Sequence, residues 1–272
     1  MPKDSRIGPI SPRRAVLPAA GTGTRMRSVA NGGAKELLPI GGRSLLAHAL
    51  ADLEASGITA ALVIVSPDKP AIERALGSRF GAMTLDYAVQ EQPRGLADAL
   101  ALARPFTTGE SFVCWLPDNF WLGRRPATAQ LIAGMACHPD AHGVALIERP
   151  LASFDPTATG AAGFVDVAAT AGDDALPILR VHPKGRPPHL PGPTFLKGFP
   201  LDLWRCDLFE RIERQRRSPA PGEKPAEQDD TPILQELAAQ GRLRGVVLRD
   251  GALFDCGVPR GYAEACAAIA SS

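Results

Sequence analysis

Two cations at fixed offsets from a glycine-rich turn are the residues of this chain best suited to chemistry. Ala15 to Pro18 is a short apolar run with the pattern of a buried strand, and it empties into Ala19, Ala20, Gly21, Thr22, Gly23 and Thr24. Arg25 follows, and Lys35 comes ten residues later, just ahead of Leu37-Leu38-Pro39-Ile40. Where no Cβ blocks the approach, the backbone N–H groups of such a turn converge on an anion. Arg contributes a planar fork and Lys a movable point charge, a pairing that suits a polyphosphate. An ordinary strand-to-helix turn has a similar composition, so these residues by themselves define a candidate phosphate loop and nothing narrower.

A carboxylate adds a second chemical group. Asp118 sits in Leu116-Pro117-Asp118-Asn119, at the end of the apolar run Phe112 to Leu116. Mg²⁺ keeps several waters and takes one or two carboxylates plus substrate phosphates, so an Asp at a strand's carboxyl end beside a phosphate loop is a natural ligand. The same residue could instead cap a turn.

The elements that must position these groups alternate between strand and helix. Helical spacing predicts helices over Ser44 to Ser56, Pro70 to Gly77, Leu96 to Arg104, Ala127 to Cys137, Asp202 to Arg217 and Thr231 to Gln240, the last with Asp230 or Thr231 as N-cap. Apolar runs predict strands over Ala60 to Val65, Met83 to Val89, Phe112 to Leu116, Gly143 to Glu148, Phe164 to Val167, Thr194 to Phe199 and Leu243 to Leu248. This order predicts an α/β fold, a Rossmann-like doubly wound sheet, mostly parallel or mixed, with ligands at the strand carboxyl ends. Asp98 reads as a solvated helix residue, and Arg211, Arg214, Arg216 and Arg217 read as a solvated helix end.

Composition narrows the classes. The chain has 272 residues, 45% hydrophobic and 22% charged, with a net charge of +1. Those values fit a globular domain and mark no surface for nucleic acid or membrane. Five scattered cysteines without a C-x-x-C pair argue against a disulfide framework or zinc cluster and for free thiols in a cytoplasmic protein. Residues 1–13 carry charges and prolines but no apolar core of a signal peptide, and read as a loose tail.

The order G-T-G-T-R-M, then Lys35 and E-L-L-P-I, resembles the motif of the sugar-1-phosphate nucleotidylyltransferases, with Ser28 and Ala34 where that family carries prolines. Further matches follow in the family's order from Ala15 to Ala268. In Tyr87 to Ala99, Gln90 and Gly95 stand where the family brackets the nucleotide base; a Gln amide suits a pyrimidine edge. Gly163 stands where a glycine approaches the hexose. Val181-His182-Pro183-Lys184 takes the place of V-x-E-K-P, so His182 replaces a sugar-binding Glu and Lys184, the implied sugar-phosphate cation, arrives one place late. Phe254-Asp255-Cys256-Gly257 is similar to the D-C-G element, most closely that of uridylyltransferases acting on glucose 1-phosphate, where the Asp is a second Mg²⁺ ligand.

The resemblance implies one domain over residues 14–272, with a nucleotide-binding half (14–125) and a sugar-phosphate-binding half (126–272) that contains the sugar-binding insertion. Its substrates would be a nucleoside triphosphate and a sugar 1-phosphate, its cofactor Mg²⁺, and its assembly a homo-oligomer. Ala20, Gly21, Thr22, Gly23, Thr24 and Arg25 would hold the triphosphate, Lys35 the reacting phosphate, and Asp118 and Asp255 the metal. Three alternatives stay open at this point. A dinucleotide oxidoreductase would need a third glycine where Met26 stands and an acid after Ile64-Val65-Ser66. A glycosyltransferase would be expected to show D-x-D, where Asp118 is followed by Asn119 and Phe120. A non-catalytic or altered-specificity sugar-nucleotide-binding protein fits the changed Val181 to Lys184 segment.

Overall fold

The computed structural model describes residues 11–150, 163–168, 173–182, 193–217 and 229–271. Its strands are β1 (Arg14–Pro18), β2 (Pro39–Ile40), β3 (Arg43–Ser44), β4 (Ala60–Val65), β5 (Arg79–Phe80), β6 (Met83–Val89) and β7 (Phe112–Trp115) in the first half of the chain. Then come β8 (Asn119–Gly123), β9 (His142–Pro150), β10 (Val165–Val167), β11 (Ala175–Val181), β12 (Thr194–Trp204), β13 (Leu243–Val247) and β14 (Gly251–Asp255). The helices are α1 (Leu45–Ala55), α2 (Pro70–Leu76), α3 (Leu96–Ala101), α4 (Arg104–Thr107), α5 (Ala127–Gly134), α6 (Leu208–Arg217), α7 (Thr231–Ala239) and α8 (Pro259–Ala270).

Ten strands form one sheet in the order β10-β11-β13-β9-β12-β7-β1-β4-β6-β5. Strand β1 runs parallel to β4 and β7, and β4 parallel to β6. Long β12 lies antiparallel between β7 and β9, so the sheet is mixed and one strand couples its two halves. Both faces are covered, and the pattern of β1 shows why: Ala15 and Leu17 pack with Leu46, Leu50 and Leu53 of α1 on one side. Val16 between them packs with Leu100 of α3 and the α6–α7 layer on the other. A strand buried on both faces reads as a continuous apolar run, as Ala15 to Pro18 does.

Three expectations need correction. The helix expected to run to Arg104 breaks after Ala101, since Pro105 has no N–H to bond the Ala101 carbonyl, and a separate short helix, α4, begins at Arg104. Asp202 to Trp204 is strand: β12 continues through Trp204 to pair with Phe112–Trp115, and helix begins only at Leu208. Arg211, expected in solvent, is buried; Asp207, Glu236 and Gln240 accept from its guanidinium, because α7 packs over that face of α6. Asp230 holds the N-cap position of α7 without a side-chain cap bond. Among the described residues no helix is long and apolar enough to cross a membrane.

Candidate active site

Because β1, β4, β6 and β7 are parallel, the loops after them emerge on one edge of the sheet. The loop after β1 is anchored by Ala19 N–H donating to Ile64 O at 2.7 Å, and the loop after β6 by Gln90 N–H donating to Val65 O at 2.8 Å. Between them opens a cavity of about 700 Å³, walled by Ala20, Gly21 and Thr22, by Lys35, by Gln90 and Gly95, and by Asp118. That volume is within the range of about 300–1,000 Å³ found for small-molecule pockets. Gly23, with φ +60°, turns the chain past the rim into the short 3-10 turn Thr24–Met26, where Thr24 and Arg25 are exposed. The aliphatic stem of Lys35 lies across Gly23, 3.4 Å from where a Cβ would stand. Asn31 (φ +47°) and Gly32 (φ +78°) make the bend for which the absent prolines are not needed.

Lys35 Nζ donates to Asp118 Oδ2, and Asn119 Nδ2 donates to Asp118 Oδ1 at 2.8 Å. Asp255 reaches the same place through a two-stranded ribbon in which it faces Asn119 across β8 and β14. A Cβ on Gly257 would stand 2.9 Å from Asp118 Oδ2 and 3.0 Å from Asp255 Oδ1. The two oxygens are therefore no more than about 6 Å apart, a distance that two carboxylates on one Mg²⁺ can close. The gap that Gly257 leaves is a cradle any side chain would fill. Among the described residues no group of three metal-ligating side chains exists; a pair of carboxylates fits Mg²⁺, which takes one or two along with substrate phosphates. Burial, then the charges of Asp255 and Asp118, push the Cys256 thiol up to about 12, which makes it a packing residue and no nucleophile.

Gly261 completes the support. A Cβ there would fall 2.0 Å from Asp255 O, so α8 can sit against β14 only with glycine at this position. Tyr262 Oη then donates to Pro39 O at 2.7 Å, tying α8 to the segment that carries Lys35.

A second, smaller cavity of about 160 Å³ shares Leu96 and Leu116 with the first and includes Gly163, His182, Gly198 and Asp202 in its lining. Gly163 (φ +93°) accepts from Gly198 N–H at 2.7 Å, and its Cα lies too close to Gly198 for a side chain to be added without strain. His182 Nε2 is 3.0 Å from Asp166 Oδ2, out of line for a full hydrogen bond. The structure thus brings Ala20, Gly21, Thr22, Lys35, Gln90, Gly95 and Asp118 to one cavity, Asp255 to the side of Asp118, and Gly163 and His182 to the neighbouring cavity. Lys184 lies outside the described residues.

Several residues around this site escape sequence reasoning. Lys69, after β4, reaches Glu36 and two carbonyls of the phosphate loop. Asp98 on α3 is no solvated residue: it accepts from Gln90 Nε2 at 2.9 Å and from Arg216 Nη2 at 2.6 Å. Lys197 on β12 is depressed by burial and drawn back up by the charge of Asp255. The only signal for these is charge next to a motif, which does not say where a side chain points.

Residues 14–152 match the family model described as nucleotidyl transferase. The chain belongs to this family. Within it, a glucose-1-phosphate thymidylyltransferase of Actinoplanes sp. is 31% identical over 251 residues, covering 89% of this chain and 75% of that protein. Another, from Streptomyces griseus, is 32% identical over 173 residues, covering 63% of this chain and 46% of its own length. The chain spans about half the length of several curated relatives that it matches. Among solved structures, a UDP-glucose pyrophosphorylase complexed with UDP-glucose superposes with a TM-score of 0.79 at 20% identity, covering 96% of this nucleotidyl transferase chain and 99% of that one. At that identity the likeness speaks for the fold.

Proposed function

We propose that the chain joins a nucleoside triphosphate to a hexose 1-phosphate, releasing pyrophosphate and a nucleoside diphosphate sugar. The observation that carries this reading is the convergence of Lys35 and the Asp118–Asp255 pair beside a glycine-rich loop, with a second cavity sharing two wall residues. A triphosphate fits the larger cavity and a sugar the smaller, so their phosphates meet near Leu116 and Asp118.

UTP is the favoured nucleotide and dTTP the next, with glucose 1-phosphate as partner. The Gln90 amide supports a uracil or thymine edge: its NH₂ donates to Gly95 O at 3.1 Å and to Asp98, which leaves Oε1 to accept from a ring N3–H. Cytosine presents an acceptor at N3 and would meet Oε1 lone pair to lone pair. The L-P-D and F-D-C-G segments lean toward uridine, while the thymidylyltransferases among the sequence relatives lean toward thymidine.

In the reaction an already ionised oxygen of the sugar phosphate attacks the α-phosphorus in line, and the bond from that phosphorus to the pyrophosphate oxygen breaks. No general base is needed, so alignment and charge neutralisation are what the site must supply. Backbone amides from Ala20 to Thr24 and the Arg25 fork hold the triphosphate tail, and Lys35 draws negative charge off the α-phosphate. Lys184 is assigned to the sugar phosphate, and Gly163 and His182 to the sugar. Asp118 and Asp255 would hold Mg²⁺, which when bound neutralises phosphate oxygens. The five free thiols suit a reducing cytoplasm.

Pyrophosphate release with UTP, dTTP, CTP and GTP against a panel of hexose 1-phosphates tests the reading. Release with UTP or dTTP is expected, and Lys35→Ala should cut kcat by about a hundredfold or more with the melting temperature kept. No release with any pair, or a Lys35→Ala variant within a few fold of wild type, would overturn it.

A further inference from the structure

We infer that Asp202 reads the sugar: its carboxyl, in the wall of the smaller cavity, hydrogen-bonds a hydroxyl of the hexose. This rests on the nucleotidyltransferase reading above and deepens it. Asp202 follows a register shift in β12, where Phe199 pairs with Ala145 but Asp202 already pairs with Val144. Bulges of this kind re-aim side chains, and they recur beside binding sites. Asp202 then lines the cavity together with Pro200 and Asp230.

What sets it apart is that, among the described residues, its carboxyl has no partner. Two other embedded acids are held by the fold: Glu36 accepts from Lys69, and Asp52 accepts from the backbone N–H groups of Ala127 and Thr128 at 2.6 and 3.0 Å. Asp202 makes no side-chain hydrogen bond or ion pair with any described residue. Asp202 is half-buried, and a carboxyl that lines a cavity and is not used by the fold is open to a ligand's hydrogen bond.

The cavity's size and lining fit a sugar. At about 160 Å³ it is too small for a nucleotide and of the scale of one ring, and its walls are mainly apolar, with Val144, Val181 and Leu243 around the few polar groups. Burial, with the nearby charge of Asp230, raises the Asp202 carboxyl well above the usual carboxylate range. A carboxyl oxygen accepts from a sugar hydroxyl, and a protonated carboxyl donates to one as well. A neutral hexose is therefore the matching class, and a cationic amino sugar is not required.

Steady-state kinetics on the full chain test this, with the KM values for the triphosphate and for the hexose 1-phosphate measured separately. Asp202→Leu and Asp202→Ala should raise the hexose 1-phosphate KM at least tenfold and leave the triphosphate KM within twofold. Asp202→Asn, which keeps both a donor and an acceptor, should stay within about threefold of wild type on both. If the leucine variant does not fold, the alanine variant carries the test, since it only removes atoms. An active wild type whose sugar KM is unmoved by Asp202→Ala, or whose two KM values rise together, overturns the role of Asp202 alone. A preference of wild type for an amino-sugar 1-phosphate over its hydroxyl counterpart overturns the neutral-hexose assignment. Absence of turnover by wild type overturns the functional reading and this inference with it.

Discussion

Lys69 and Glu36 form a buried ion pair directly behind the phosphate loop. Lys69 Nζ donates to Glu36 Oε1 and Oε2 at 2.9 and 3.1 Å, and also to Ala19 O at 2.8 Å and Gly21 O at 2.6 Å. Both side chains are more than nine-tenths buried. Burial raises the Glu36 carboxyl, and Lys69 opposes that shift. With two loop carbonyls turned toward Lys69, the loop's geometry is set from behind, and Glu36 adjoins Lys35 in sequence.

Breaking such a pair by removing one partner leaves an uncompensated charge in the interior, at a cost of about 3–5 kcal/mol. Lys69→Met is therefore expected to lower the melting temperature markedly and to raise the triphosphate KM in whatever fraction stays folded. Lys69→Met with Glu36→Gln should recover part of the stability and little of the triphosphate binding. Thermal melts beside nucleotide titrations decide it: full recovery of binding by the double variant would mean that the pair serves folding only.

Gly257 gives a prediction about the metal. Alanine there would press a methyl group against both Asp118 Oδ2 and Asp255 Oδ1, at 2.9 and 3.0 Å. Gly257→Ala should fold normally and need roughly tenfold more Mg²⁺ for half-maximal rate, because the methyl displaces both carboxylates and disturbing the groups around metal ligands costs about 10–100-fold. Chelation by EDTA should abolish turnover in both proteins. A magnesium titration with an unchanged midpoint in the variant would separate the two carboxylates from the metal.

Base recognition depends on Asp98 if Gln90 is oriented as described. Replacing Asp98 by Ala frees the Gln90 amide to turn over and also strips a partner from Arg216. The expected result is a several-fold higher KM for UTP and dTTP, with a smaller gap between UTP and CTP than in wild type. Equal gaps in the two proteins would remove Asp98 from the recognition of the base.

Acidification should destabilise the molecule in two steps. The buried imidazole of His142 is lowered from its ordinary value of 6.5, chiefly by burial. Its Nδ1 accepts from Arg205 N–H at 3.3 Å, and its Nε2 lies 3.0 Å from Asp207 Oδ1. A base lowered in the folded state favours the unfolded chain once protons are available, so stability is full above pH 6.5 and falls as the pH drops below it. Asp207 is held below the usual carboxylate range by His142, Arg242 and Arg211, so its contribution persists above its ordinary value of 3.8 and is lost below that. Melting temperatures should be level from pH 8 to 7, decline between pH 6.5 and 5, and fall again below pH 4. His142→Asn should flatten the first decline; a wild-type curve without it would contradict the assignment.

The parts of this molecule legible in the sequence are those where a motif follows a strand. Gln90, Gly95 and Asp118 lie where the parallel topology sends them, because loops after parallel strands share one edge whatever their separation along the chain, whereas Asp255 comes to Asp118 through the antiparallel ribbon of β8 and β14. Asp202 was not legible: Leu201-Asp202-Leu203-Trp204 runs straight into a helical pattern, and only pairing with β7 makes it strand. Nor was Lys69, since Ser66-Pro67-Asp68-Lys69 has the composition of a solvated turn. Arg211 and Asp98 misled for the same reason, as charge on a helix reads as solvent until another element is known to cover it.

Strand β12 borders β7, which leads to Asp118, on one side and the sugar half's β9 on the other, and its own residues face the smaller cavity. One strand thus lines the smaller cavity and braces the strand that leads to Asp118 in the larger one. A hinge that swung the two sides of the sheet apart would have to tear this strand's ladder of hydrogen bonds, so the sheet itself opposes such a swing.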